Sequence, residues 1–179
     1  MSQPPALQPL APLLSAEQIA HRVGELAVDI RRDFPGDVHL VAVLKGAFVF
    51  LADLARRMPG DLSMDFIALA SYGRGTTTSG EVRLVRDLDI PLDGKDVVIV
   101  EDIVDTGRTL VYLQNMLLTR RPRTLATVCL LDKPSRRQVE AAVDYVGFTI
   151  EDHFVVGYGL DHDERYRQLP YLAVLPSPS

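Results

Sequence analysis

Val97-Val98-Ile99-Val100-Glu101-Asp102-Ile103-Val104-Asp105-Thr106-Gly107-Arg108-Thr109-Leu110 is the stretch that decides the fold. Its opening run of β-branched apolar residues predicts a strand buried on both faces, as inside a parallel sheet. Two adjacent carboxylates and then a third follow, and Thr-Gly-Arg-Thr leads into Leu110 to Leu118, which has helical character. The order is strand, carboxylates, glycine-containing turn, helix start. A helix start offers unpaired N–H groups at the positive end of its dipole, which suits a phosphate. Carboxylates beside such a cradle suit Mg²⁺, a ribose hydroxyl or a proton. The bland alternative is a buried strand with an acidic, solvated exit loop, and the length and order of the run count against it.

Outward from this run, strands and helices alternate. Ser15 with Gln18 is a capping-box pattern, and Ile19, Val23, Leu26, Ala27 and Ile30 fall on one helical face. Pro35-Gly36-Asp37 ends that helix, a strand follows over Val38 to Leu44, and a helix around Phe48 to Met58 stops at Pro59-Gly60. Residues 62 to 70 read as a strand. Ser71 to Gly80 carries Gly73, Gly75, Gly80 and three threonines before a return strand at Val82 to Val85, a pattern that predicts a lid loop. Past the central run, a helix over Leu110 to Leu118 ends at Arg120-Arg121-Pro122, and a strand spans Thr124 to Leu131. A helix over Ser135 to Val143 and strands at Tyr145 to Ile150, Phe154 to Tyr158 and Tyr171 to Leu175 complete the pattern. The alternation predicts a mostly parallel α/β sheet flanked by helices, with no internal repeat.

A chain of 179 residues with 47% hydrophobic and 24% charged residues fits one globular domain. Net charge of −5 argues against nucleic acid as the main partner. The single cysteine, Cys129, excludes an internal disulfide and lies in the strand-like Thr127 to Leu131, so it reads as a small core residue in a reducing compartment. Met1 to Leu14 holds Pro4, Pro5, Pro9 and Pro12 without a basic leader, a poor signal peptide and an expected flexible arm. No apolar run is long enough for a membrane span. A cytosolic protein is expected.

The central run resembles the phosphoribosyl-pyrophosphate (PRPP) motif of type I phosphoribosyltransferases: hydrophobic strand, acidic pair, two apolar residues, then Asp-Thr-Gly-x-Thr. Leu44-Lys45-Gly46, Ser71-Tyr72-Gly73, Leu131-Asp132-Lys133, the segment Asp152 to Asp161, and Arg167 match in order. They extend the resemblance over roughly residues 15 to 175 and narrow it to the hypoxanthine-guanine branch. The resemblance implies the type I phosphoribosyltransferase fold over 15–179, with a small hood subdomain and a flexible lid that includes Ser71 and Tyr72. It implies transfer of the 5-phosphoribosyl group of PRPP to N9 of hypoxanthine or guanine, with Mg²⁺, in a homodimer or homotetramer.

The resemblance also carries roles for residues. Asp105 to Thr109 would cradle the 5′-phosphate, with Thr106 and Thr109 adding hydroxyls, Gly107 close approach, and Arg108 filling the variable position. Glu101 and Asp102 would lie beside the ribose hydroxyls and Mg²⁺, and Asp161 would approach a second Mg²⁺. Asp105 would be the general acid/base facing N7 of the purine; capping the following helix is the alternative, and the two roles are compatible. Lys45, Gly46 and Arg167 would hold pyrophosphate, across a Leu44–Lys45 peptide that is often cis in the family. Lys133 would donate to the 6-oxo group, Phe154 would stack on the base, and Val155 and Asp161 would flank its edge. A nucleic-acid-binding regulator that kept the fold would want a basic face, and only Arg120 to Arg123 and Arg136-Arg137 cluster. Lys133 and Phe154 argue against adenine as the base. Xanthine differs from guanine only at an edge read largely by backbone.

Overall fold

The computed structural model describes residues 10–71 and 82–176. In it the central run becomes β5 (Asp96–Val104) followed by α3 (Arg108–Leu118). Before it come β1 (Pro12–Leu14), α1 (Ala16–Asp33), β2 (Val38–Leu44), α2 (Phe48–Ala55), β3 (Leu62–Ser71) and β4 (Val82–Arg86). After it come β6 (Thr124–Asp132), β7 (Tyr145–Thr149), β8 (Val155–Val156) and β9 (Leu172–Val174).

The main sheet has six strands in the order β4-β3-β2-β5-β6-β7, and β4 alone is antiparallel to its neighbour. Side chains of β5 alternate between two cores, as strand geometry requires. Val98 and Val100 pack with α1 and α2, whereas Val97 and Ile99 pack with Leu110, Leu113 and Leu117 of α3. Four β-branched residues in a row are therefore needed, because both faces of this strand are buried. From β2 the chain runs one way to β3 and β4, then returns to β5 and runs the other way. In open α/β sheets the crevice at such a reversal, outside the carboxyl ends of the strands, is where ligands bind.

A second, antiparallel sheet of β1, β9 and β8 forms the small hood. The capping box at Ser15 is formed in full: Gln18 N–H donates to Ser15 Oγ at 3.2 Å, and Ser15 N–H donates to Gln18 Oε1 at 2.8 Å. All five residues expected on its buried face are buried.

Several expectations change. The arm expected over residues 1–14 does not run to Leu14, because Pro12–Leu14 pairs with β9, Leu14 opposite Leu172. The helix expected over Ser135 to Val143 does not form: one turn of 3-10 helix at Pro134–Arg136 is followed by irregular chain. The N–H groups of Gln138 and Val139 donate instead to the Thr106 carbonyl, at 3.0 and 3.3 Å, and Gln114 Nε2 donates to the Ala142 carbonyl at 2.7 Å. Those bonds to the turn before α3 replace helical ones. The strand expected over Phe154 to Tyr158 shortens to Val155–Val156, since positive φ at Gly157, Tyr158 and Gly159 turns the chain away. The lid expected at Ser71 to Gly80, with Tyr72, lies outside the described residues beyond the backbone of Ser71.

Candidate active site

The carboxyl ends of β2, β5 and β6, together with the 154–167 segment, converge on one cleft of about 400 Å³. Lys45 and Gly46 leave β2, Asp102 and Asp105 leave β5, and Lys133 leaves β6. Phe154, Val155, Asp161 and Arg167 close the opposite wall. A second cavity of about 210 Å³ adjoins it, lined by Glu101, Asp105, Thr106, Gly107 and Thr109, and the two share Asp102 and Asp105. Every candidate whose side chain is described lines one cavity or both except Arg108, which is exposed.

Turn geometry shapes the smaller cavity. Gly107 caps α3 at φ 85°, where a Cβ would be strained and would also stand 2.8 Å from the Val139 carbonyl. Gly107 has no side chain to cap α3, and the bond from Arg108 N–H to Thr106 Oγ1 is long at 3.4 Å, so the helix start can still receive an anion. Across the main cleft the backbone is equally tight. The Leu44–Lys45 peptide is cis. A Cβ on Gly46 would fall on the Asp102 carboxylate, and one on Gly159 (φ 101°) would fall on the Gly46 carbonyl. Gly46, Asp102 and Gly159 thus pack at a distance only glycine allows.

Glu101 is buried and Asp102 half-buried, and among the described residues neither forms an ion pair. Burial pushes the Glu101 carboxyl well up, and the Asp102 charge pushes it further. Burial also raises Asp102, against backbone hydrogen bonds and the Arg167 charge, with Asp161 adding repulsion. Among the described residues, no cluster of three or more His, Cys, Asp or Glu is arranged to hold a metal by itself. The carboxylate oxygens of Glu101, Asp102 and Asp161 are donors of the type Mg²⁺ takes one or two at a time beside water and substrate oxygens.

Lys133 is 7% exposed, and its ammonium donates to the His153 carbonyl at 2.5 Å with Asp152 at 3.8 Å. Phe154 is 54% exposed and meets the His162 ring edge-on, so its face is not consumed by the core. Arg167 donates to the Gly159 carbonyl at 2.8 Å and pairs with Asp161 at 2.9 Å, while its Nε is buried with no partner.

Two arginines join Asp105 that sequence reasoning had not placed there. Arg136 Nε lies 3.1 Å from Asp105 Oδ1, and Arg137 donates to the Asp105 carbonyl at 2.7 Å while pairing with Asp132. Their signal was the basic pair just past Lys133, after Pro134-Ser135, near a strand's carboxyl end. Glu164, Lys45 and Arg167 form a further group, with Lys45 Nζ 3.0 Å and Arg167 Nη2 3.3 Å from Glu164 Oε2.

Residues 11–163 match the family model described as the phosphoribosyl transferase domain. The hypoxanthine-guanine phosphoribosyltransferase of Bacillus subtilis is 46% identical over 164 residues, covering 91% of each chain. The chain belongs to the hypoxanthine-guanine phosphoribosyltransferase family. The crystal structure of a hypoxanthine-guanine phosphoribosyltransferase from Bacillus anthracis, with HEPES in its active site, superposes with a TM-score of 0.89. It is 47% identical and covers 93% of this chain and 98% of its own. Some family members are longer: the chain spans 25% of the bifunctional protein TilS/HprT of Listeria monocytogenes, at 46% identity. The six-stranded sheet with its small antiparallel hood is the type I phosphoribosyltransferase fold.

Proposed function

We propose that this phosphoribosyltransferase transfers the 5-phosphoribosyl group of PRPP to N9 of hypoxanthine or guanine, giving IMP or GMP and pyrophosphate. The observation that carries it is the convergence of three strand ends and the 154–167 segment on one cleft that adjoins the glycine-capped start of α3. In the reaction the bond from the anomeric carbon to pyrophosphate breaks, its electron pair leaves with pyrophosphate, and the N9 bond forms. Asp105 accepts the purine proton at N7 as N9 becomes bonded, a task for a positioned carboxylate.

Thr106, Gly107, Thr109 and the backbone N–H of Arg108 hold the 5′-phosphate. Lys45, Gly46 and Arg167 grip pyrophosphate, and the unpartnered Nε of Arg167 supports that role. Lys133 donates to the 6-oxo oxygen, Phe154 stacks on the ring, and Val155 meets its edge through the main chain. Stacking of this kind contributes about 1–3 kcal/mol per base where measured in nucleic-acid binding. Glu101, Asp102 and Asp161 are the residues that would hold Mg²⁺ with substrate oxygens. When bound, Mg²⁺ neutralises charge on the departing pyrophosphate.

The proposal extends to a cytosolic homodimer or homotetramer without nucleic-acid partners. No described helix is long and apolar enough to cross a membrane. The buried, unpaired Cys129 suits a reducing compartment, and a groove of about 510 Å³ with Ala16, Ala20, Phe48 and Leu169 suits a subunit contact. The test is to supply PRPP, Mg²⁺ and hypoxanthine and to measure IMP and pyrophosphate. One of each per base consumed, and none without Mg²⁺, is expected; consumption of PRPP without IMP would refute the proposal.

A further inference from the structure

We propose that Glu164 is an internal counter-charge that competes with pyrophosphate for Lys45 and Arg167, and so sets how tightly that ligand is held. The inference deepens the proposed function, since it rests on those two cations gripping pyrophosphate.

One carboxylate oxygen of Glu164 joins both cations. Oε2 accepts from Lys45 Nζ at 3.0 Å and stands 3.3 Å from Arg167 Nη2. Lys45 comes from the loop after β2, 119 residues earlier, so the contact closes the cleft's two walls on each other. Both cations line the main cleft, and Glu164 does not. Among the described residues Glu164 is the ion-pair partner of Lys45, whose side chain is 65% exposed. A carboxylate oxygen placed between an ammonium and a guanidinium offers what a phosphate oxygen would offer.

The segment holds Glu164 in place by its backbone rather than by its side chain. Asp163, Glu164 and Tyr166 have φ of 50°, 61° and 76°, and the Glu164 N–H donates to Asp161 Oδ2 at 2.9 Å. His162 and Arg165 exchange backbone hydrogen bonds of 3.2 and 3.0 Å across this turn. The side chain is 65% exposed and makes no core contact to anchor it, so it can leave the cations while the backbone stays fixed. Exposed ion pairs are individually weak. A multiply charged pyrophosphate therefore displaces Glu164, and when pyrophosphate departs the carboxylate takes the cations back. The contact lowers the net affinity for the leaving group, which favours its release.

A loop strut is the rival role for Glu164, and the two differ in sign. The full chain, its Glu164→Gln variant and its Glu164→Asp variant are titrated with pyrophosphate plus Mg²⁺, and separately with IMP, by calorimetry. Glu164→Gln should bind pyrophosphate about two- to fivefold more tightly, in keeping with the loss of exposed pairs, with IMP affinity unchanged. Glu164→Asp, one methylene too short to bridge both cations, should move the same way by less. In a Lys45→Gln background the gain from Glu164→Gln should shrink, since only the Arg167 contact remains to be released. Unchanged or weaker pyrophosphate binding by Glu164→Gln, or an equal change for IMP, would overturn the inference. A native protein that binds IMP but no pyrophosphate would instead overturn the assignment of Lys45 and Arg167.

Discussion

Asp105 stands where the smaller cavity and the main cleft meet, lining both, with Arg136 on its carboxylate and Arg137 on its carbonyl. Asp105→Asn keeps the shape of the turn and removes the proton acceptor. It should lower kcat by about 10²- to 10⁴-fold while changing PRPP affinity little; steady-state kinetics with unchanged kcat would leave Asp105 only a structural place. Asp102 makes a second prediction at this scale. Its carboxyl is raised from the ordinary 3.8 to about 6, mainly by burial. Between those values the native state without Mg²⁺ binds more protons than the unfolded chain, so this group's contribution to stability falls as pH rises through the window. The melting temperature of Asp102→Asn minus that of the native protein should therefore increase from pH 4 to pH 7. A difference that is flat or falls with pH would contradict the burial of an uncompensated charge. Asp105, Asp102 and Lys133 could be named from the motif resemblance, since each lies within a few residues of the end of a strand-like apolar run. Arg136 and Arg137 were not, since their approach to Asp105 depends on how residues 134–143 fold back, which no local spacing encodes.

Elements that carry their own start and stop signals match the sequence closely. Ser15 and Gln18 announce α1, and the apolar run at 97–100 announces β5, because local hydrogen bonding and two-sided burial leave each a single outcome. Residues 135–143 show the reverse case: their helical composition yields to backbone bonds with Thr106, which are available only once α3 is in place. The short β8 is a similar case, ended by glycines whose φ values answer to distant neighbours. Gly159 packs against the Gly46 carbonyl, and Gly157 packs against the Tyr171 carbonyl. Gly159→Ala places a side chain at φ 101° and on the Gly46 backbone. It should destabilise the fold by about 1–3 kcal/mol and weaken pyrophosphate binding, whereas Gly36→Ala, with open space around it, should do neither. Urea unfolding curves for the two variants give the comparison. Equal midpoints would contradict the close packing of these loops.

At the scale of the whole molecule, the alternation of strands and helices was enough to foresee a mostly parallel sheet, and the reversal between β2 and β5 places the cleft. The hood was harder to see, because its three strands are short and come from both ends of the chain. Among the described residues β1 pairs with β9 alone, and β9 in turn pairs with β8, which carries Val155 into the cleft. Removing residues 1–14 should therefore lower the melting temperature and raise the KM for the purine base, whereas a truly unattached arm would leave both unchanged. The central claim is that these walls select a 6-oxopurine. The buried Lys133 ammonium spends one donor on the His153 carbonyl; an oxo group accepts another, which the amino group of adenine cannot, a mismatch of the type that separates substrates strongly. The most direct measurement is kcat/KM for hypoxanthine, guanine, xanthine and adenine with saturating PRPP and Mg²⁺. Turnover of hypoxanthine or guanine at least about 10³-fold above adenine is expected from that mismatch; adenine turned over as well as either would contradict the account.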